Sequence, residues 1–273
     1  MKTTIKLLCL SLAILCYNNN TLTAQDMDPE DPTYFSVSYM KVKTENRADY
    51  LKMEKAWTKI HKAKLAAGAI KGWSLFEVMS PSGSQVEYNY VTYENLGKNA
   101  NAAKFMDSPY FPEDWEKLLT KEELALVQRT GELRTLVKNE VWQVRDGMYD
   151  DNWMDAKIQV CNFFSIAKGK RGYDHYLIEK KYWMPVHKAR IADDKLEGWD
   201  ISNLYLPFGS DQAYSVSTTD VYKDMKQYMA EVEMEAYMKK IHPNKTMDEI
   251  FTETRAIGDL VRGEVRQLID RVN

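Results

Sequence analysis

The chain has 273 residues, 44% of them hydrophobic, 12% aromatic and 28% charged, with a formal net charge of −3. So much apolar and aromatic area offsets chain entropy and excludes a disordered protein. The mild acidity, with no basic block, argues against nucleic acid as a partner, and the length suits one large domain or two small ones.

The first 24 residues read as a secretory signal peptide. Lys2 and Lys6 give a positive start, Leu7 to Tyr17 form an apolar run of 11 residues, and Thr23-Ala24 offers a cleavage point before Gln25. A bilayer span needs roughly 20 apolar residues, so no membrane anchor is expected. Cys16 follows Leu15, where a lipoprotein signal wants a small residue, so that alternative is set aside. The mature protein is therefore expected to be secreted or periplasmic, with a charge of 35 − 40 = −5 and Cys161 as its one cysteine. One cysteine closes no internal disulfide, and no Cys/His group has zinc spacing, so no metal is expected.

The rest of the chain repeats itself. Tyr50-Leu51, Lys55, Trp57, His61-Lys62-Ala63, Ala66, Gly72-Trp73, Pro81, Gly83-Ser84, Tyr88 and Thr92 each recur 126 residues later, from Tyr176 to Thr218. Thr120 with Glu123 forms a Thr-x-x-Glu capping box, and Thr246 with Glu249 repeats it at the same offset. An ungapped register of this kind marks an internal duplication.

Taken in chain order, a strand is predicted over 35–42 and a helix over 47–67. Gly72 then opens a strand, and Pro-Ser-Gly-Ser at 81–84 turns into another. A helical region in two pieces follows, its last piece starting at Thr120, and a strand near 139–145 closes the set. The same order recurs over 158–166, 173–193, from Gly198, at the turn 207–210, from Thr246 and near 263–268. This is β-α-β-β-α-β, the ferredoxin-like unit, so residues 25–150 and 151–273 are expected to be two such units of an α+β protein. The pattern Tyr50-x6-Trp57-x3-His61-Lys62, then Gly72-Trp73 into a hairpin, resembles the dimeric α+β barrel superfamily. The resemblance implies that the two units pair their sheets within one chain. That superfamily hosts haem enzymes, isomerases, monooxygenases, dehydratases and proteins of no known activity, so the fold leaves the function open.

One face of the first long helix carries Tyr50, Trp57, His61 and Lys64, and the second copy repeats it as Tyr176, Trp183, His187 and Arg190. Histidine shuttles protons near neutral pH, and a cation one turn away suits a carboxylate. His187 and His61 are thus candidate acid–base residues, with Arg190, Lys64, Trp183, Trp57 and Tyr176 as candidate substrate contacts. The alternative is that Trp and Tyr pack on the sheet while His bonds a neighbour, and presence in both copies favours such a packing role. Glu77, whose counterpart is Asn203, is a further acid–base candidate on the strand face of Trp73 and Leu75. His175 and His242 are expected to be solvated, and Tyr88, Tyr90 and Tyr214 to share one strand face.

Three functions fit these residues. The first is a carbon–oxygen lyase, a dehydratase acting on an acidic, uronate-containing oligosaccharide, with Arg190 on the carboxylate and His187 as the base. In overall build the chain is similar to the small secreted dehydratases that marine bacteria use on ulvan oligosaccharides, which implies the same substrate class. The second is a haem-binding monooxygenase, with a stripe histidine on the iron. The third is a non-enzymatic ligand-binding or scaffold protein. No cofactor is expected for the first, and phosphate-loop, zinc-protease, haem-attachment and serine-hydrolase motifs are all lacking.

Overall fold

Alternation of apolar and polar residues makes strands of the β-prone stretches, and the computed structural model closes them into a barrel. It describes residues 31–81, 87–230 and 232–273. The expected signal peptide and most of the 81–84 turn lie outside the described residues. Strands β1 (Thr33–Lys41), β2 (Gly72–Pro81), β3 (Tyr90–Gly97) and β4 (Thr135–Tyr149) are followed by β5 (Ile158–Ile166), β6 (Gly198–Leu206), β7 (Val216–Tyr222) and β8 (Gly258–Val272). Around the barrel they run β1-β3-β2-β8-β5-β7-β6-β4, and β4 returns to pair with β1. Every neighbouring pair is antiparallel. The first four strands thus lie side by side as β4-β1-β3-β2 and the last four as β8-β5-β7-β6. The β2–β8 and β6–β4 seams join the two sets. Full closure leaves no unpaired sheet edge.

The closing strands are much longer than the short predicted stretches, 15 residues each, because each pairs with one neighbour over its first part and with another over its last. The repeat register also shifts at the ends of each copy. Ser38 faces Thr92 as Asn162 faces Thr218, so the first strands correspond at an offset of 124 rather than 126.

Helices cover the outside. Helix α1 (Arg47–Ala66) buries Tyr50, Met53, Ala56 and Ile60 against Trp73, Leu75 and Tyr90 on the outer face of the first sheet. Next come α2 (Asn99–Asp107), α3 (Lys121–Gln128), opened by the Thr120 capping box, and the short α4 (Thr130–Leu133). The counterpart of α1 is not a single regular helix. It runs α5 (Gly172–Ile178), a π-helical turn at Glu179–Trp183, then α6 (Met184–Ala192). Pro185 supplies the reason, since proline has no N–H to give the preceding turn and its ring crowds that turn. Helices α7 (Met225–Met229), α8 (Met234–Ile241) and α9 (Met247–Arg255) complete the layer, the last again opened by its capping box at Thr246. Among the described residues no helix is long and apolar enough to cross a membrane.

The barrel interior is sealed at one end by two matching ionic clusters. Glu140 accepts from Tyr214 Oη at 2.8 Å and from Trp142 Nε1 at 2.9 Å, with Lys138 beside it at 3.3 Å. Across the barrel, Glu264 accepts from Tyr88 Oη, from Arg262 Nε at 2.6 Å and from Arg266 Nε and Nη2 at 2.8 and 2.6 Å. Tyr88 precedes β3 and bonds to β8, while Tyr214 precedes β7 and bonds to β4, so each set of strands grips the other. Tyr90, expected on the face of Tyr88 and Tyr214, instead points outward and packs on Tyr50.

Arg266 and Glu264 are essentially inaccessible, at 0% and 1% exposure. Burial raises the Glu264 carboxyl, but Arg266, Tyr88 and Arg262 outweigh that and hold it below its ordinary pKa. Removing one partner of a buried pair strands the other charge and costs about 3–5 kcal/mol. Glu264→Ala should therefore lower the denaturation midpoint in urea far more than Lys117→Ala, whose ion pair with Asp114 is exposed on both sides. Equal shifts for the two variants would mean that the Glu264 cluster does not hold the seam.

Candidate functional site

The opposite end of the barrel, where β1, β2, β5 and β6 begin, holds a cavity of about 350 Å³. Sites for small organic ligands run from roughly 300 to 1,000 Å³. Tyr93, Trp142 and Phe163 separate it from the ionic clusters, and Lys71, Asn95, Trp153, Met154 and Arg271 frame it. Its walls differ in chemistry. Phe35, Val37 and Val144 make one side apolar, while Gln159, Asp200, Ser202, Ser217 and Thr219 make the other polar. In the repeat register Asp200, Ser202, Ser217 and Thr219 answer to Ser74, Phe76, Val91 and Tyr93, and Gln159 takes the place of Phe35. At these strand positions the two copies have diverged.

Asp200 is the acid of this cavity. Tyr149 Oη donates to its Oδ2 at 2.7 Å and Ser202 Oγ to its Oδ1 at 3.4 Å. Burial pushes its pKa up to about 6, and the hydrogen bonds from Tyr149 and Ser202 hold it from rising further. Burial and the adjacent carboxylate raise the Tyr149 hydroxyl, so Tyr149 remains a proton donor. Two glycines make room for the pair. A side chain at Gly198 would enter the Tyr149 ring, and one at Gly147 would bring a carbon within 3.0 Å of Asp200 Cβ. The Tyr149 ring packs at 4.8 Å on Trp153, from the segment that crosses the open end between β4 and β5. Among the described residues, the buried Gln159 Oε1 has no hydrogen-bond partner.

The helix stripe chosen from the sequence lies elsewhere, between helices and the outer sheet face. His61 stacks on Trp73 at 4.6 Å and sits 3.3 Å from Glu94, which also pairs with Lys64. His187 stacks on Trp199 at 5.3 Å, and its Nδ1 is 3.0 Å from Arg190 Nη1 and 3.6 Å from Asp220. Arg190 Nη2 also donates to Tyr222 Oη at 3.0 Å. Burial lowers the pKa of both histidines, and Arg190 lowers His187 further. Trp57 and Trp183 donate to Thr130 and Thr254, and Tyr176 donates to Asp146. Glu77 faces the helices as expected and is held by Arg47 at 2.7 Å and by Tyr90 Oη at 3.0 Å. None of these eight side chains lines the cavity. His175, expected to be solvated, is fully buried against Phe164, 3.2 Å from Glu179, and His242 is half-buried with Nε2 2.9 Å from the Tyr182 carbonyl.

No protein-family profile matches the sequence, and no curated protein matches it. Solved structures do resemble the fold. One is described as a candidate monooxygenase from Fusobacterium nucleatum, 12% identical, covering 89% of this chain and 94% of its own, with a TM-score of 0.50. A second, from Lactobacillus acidophilus and also described as a candidate monooxygenase, is 13% identical over 88% and 94% of the two chains, with a TM-score of 0.45. A haem-binding protein from Thermus thermophilus is 10% identical over 89% and 96%, with a TM-score of 0.46. The chain has the fold of the dimeric α+β barrel proteins.

One neighbour corrects the expected function. The Fusobacterium protein, at a TM-score of 0.50, is described as a candidate monooxygenase and not as a carbohydrate lyase, so the uronate dehydratase and its acidic oligosaccharide substrate fall away, and the likeness to ulvan dehydratases finds no support. The geometry agrees, because Arg190 is engaged by Tyr222 and His187 and Lys64 by Glu94, away from the cavity. A haem's axial histidine must face an open slot, and each of the four histidines is closed in by a ring or by backbone, away from the cavity. These residues do not fit a haem.

The raised Asp200 pKa has a measurable sign. Between the unfolded carboxyl pKa near 4 and the folded value of about 6, the folded state binds the extra proton, so Asp200 contributes stability at low pH that is lost as pH rises through 6. Asp200→Asn removes this dependence. Relative to that variant, the wild type should lose on the order of 2 kcal/mol between pH 4 and pH 7. A pH-independent difference in unfolding free energy would mean that Asp200 titrates normally.

Proposed function

We propose that the chain is an enzyme that binds a small, partly aromatic organic molecule in the open end of the barrel and removes a proton from it through Asp200. One observation carries this reading. A carboxylate whose pKa is poised at about 6 faces a ligand-sized cavity, with a tyrosine fixed on one of its oxygens. A base works best when its pKa lies near the operating pH, where it is ionised yet still basic. The apolar wall excludes water from the reacting atom, and Tyr149 orients the carboxylate and offers a proton to oxygen as charge develops.

Deprotonation also supplies the form in which the monooxygenase description of the Fusobacterium neighbour would extend here, because an electron-rich substrate anion is what dioxygen oxidises. The strand orders β4-β1-β3-β2 and β8-β5-β7-β6, with the repeated sequence register, support reading the chain as two tandem ferredoxin-like units over 25–150 and 151–273. The leader-like first 24 residues support action outside the cytoplasm.

Aromatic ketones and phenols with exchangeable C–H groups, followed by NMR in deuterated buffer, test the reading directly. The wild type should catalyse exchange with a rate that rises with pH through about 6 and then levels, as Asp200 ionises. Asp200→Asn should slow it about 10²- to 10⁴-fold and Tyr149→Phe less. Exchange at the wild-type rate in Asp200→Asn would sink the assignment.

A further inference from the structure

The cavity carries cations as well as an acid, and they stand on opposed walls. Across the β2–β8 seam Arg271 lies directly opposite Ser74, and across the β6–β4 seam Gly147 lies directly opposite Asp200. These are matching places in the two copies, so one seam presents a guanidinium to the cavity and the other a carboxylate. Lys71 also lines the rim, and its counterpart in the second copy is Glu197.

Neither cation makes an ion pair among the described residues. Arg271 gives one N–H to the Met154 carbonyl and lies 5.9 Å from the centre of the Trp153 ring. Burial lowers its pKa, and Asp155 opposes this only from a distance. A guanidinium taken partly out of water without an anion is costly, and its planar fork fits a carboxylate with two parallel hydrogen bonds. Between the rim and the ionic clusters stand the rings of Phe35, Tyr93, Trp142 and Phe163, with Phe35–Tyr93 and Trp142–Phe163 at 6.2 and 5.9 Å. On the far wall, the unpartnered Gln159 Oε1 leaves an amide end that a hydroxyl can satisfy.

We propose that the ligand is a hydroxyaromatic carboxylate, its carboxylate held at the rim by Arg271 and Lys71, its ring between Phe35 and Trp142, and its hydroxyl turned to Gln159 and Asp200. This rests on the cavity being the binding site, as in the proposed function, and adds the charge and polarity of what enters. The rim then fixes orientation while the opposite wall handles the proton. It also explains why the two walls can coexist, since the anionic end is kept away from the Asp200 carboxylate.

The full chain titrated with 6-hydroxy-2-naphthoate and with its uncharged methyl ester, followed by fluorescence, tests both levels. The acid should bind at least tenfold tighter than the ester. Arg271→Gln and Lys71→Gln should each weaken the acid several-fold and leave the ester unchanged. Lys71 is exposed, so its variant remains informative if the Arg271 change impairs folding. Equal affinity for acid and ester overturns the carboxylate assignment while leaving the cavity as the site. Binding of neither overturns both readings. A preference for the acid that survives in both variants places the anion away from the rim and overturns the inference.

Discussion

The barrel depends on a reciprocal grip inside it. Tyr88 reaches from the first sheet to Glu264 in the second, and Tyr214 reaches from the second to Glu140 in the first. Each carboxylate is then neutralised by cations of its own strand, Arg262 and Arg266 in one case and Lys138 in the other. A buried ionic group is tolerated only when its charge is paired and its hydrogen bonds are filled, and this geometry fills them only when both sheets are in register. The same clusters occupy one end of the interior, so free volume gathers at the other.

That free volume is where duplication has been undone. Outward-facing positions kept their identity in both copies, as His61 on Trp73 and His187 on Trp199 show. The inward-facing Tyr88/Tyr214 and Glu140/Glu264 kept theirs at the sealed end, while at the cavity Ser74, Phe76, Val91 and Tyr93 are answered by Asp200, Ser202, Ser217 and Thr219. A packing device repeated on the outside of two sheets serves both equally. A cavity on the symmetry axis is a single volume shared by both sheets, so its opposite walls are free to take different chemistry.

Glu94 and Asp220 show how far the outer environment differs even at conserved places. Glu94 sits between His61 and Lys64, which outweigh its burial and keep it below the ordinary carboxylate pKa. Asp220, near Glu179 as well as Arg190, is pushed up to about 6 by burial. The second copy thus carries a denser buried charge set, His175, Glu179, His187, Arg190 and Asp220, under a helix broken by Pro185. These groups are closed off by packing, and the shifted pKa values of His187 and Asp220 reflect burial rather than access to a ligand.

The order of elements, the duplication, the two capping boxes and the faces of α1 and β2 were legible in the sequence, because each depends on local spacing and turn chemistry. The break at Pro185 was also written there, as a residue that cannot complete a helical turn. The offset of 124 was written there too, since Leu136-Val137, Glu140-Val141, Gln143 and Asp146 recur as Leu260-Val261, Glu264-Val265, Gln267 and Asp270, but the longer run of identities at 126 overshadows it. The site was not. Asp200, Tyr149, Gln159 and Arg271 come from four strands spread over more than 120 residues, and no spacing along the chain brings them together. Comparing the two copies at alternate strand positions would have flagged Asp200 against Ser74, a signal hidden by the stronger identity of the histidine stripe. Sequence by itself determined which residues form strands and helices and that the pattern occurs twice. Barrel closure decided which strand face became the interior, and with it which side chains meet, since a closed sheet has one enclosed surface and its chemistry is the sum of all eight strands.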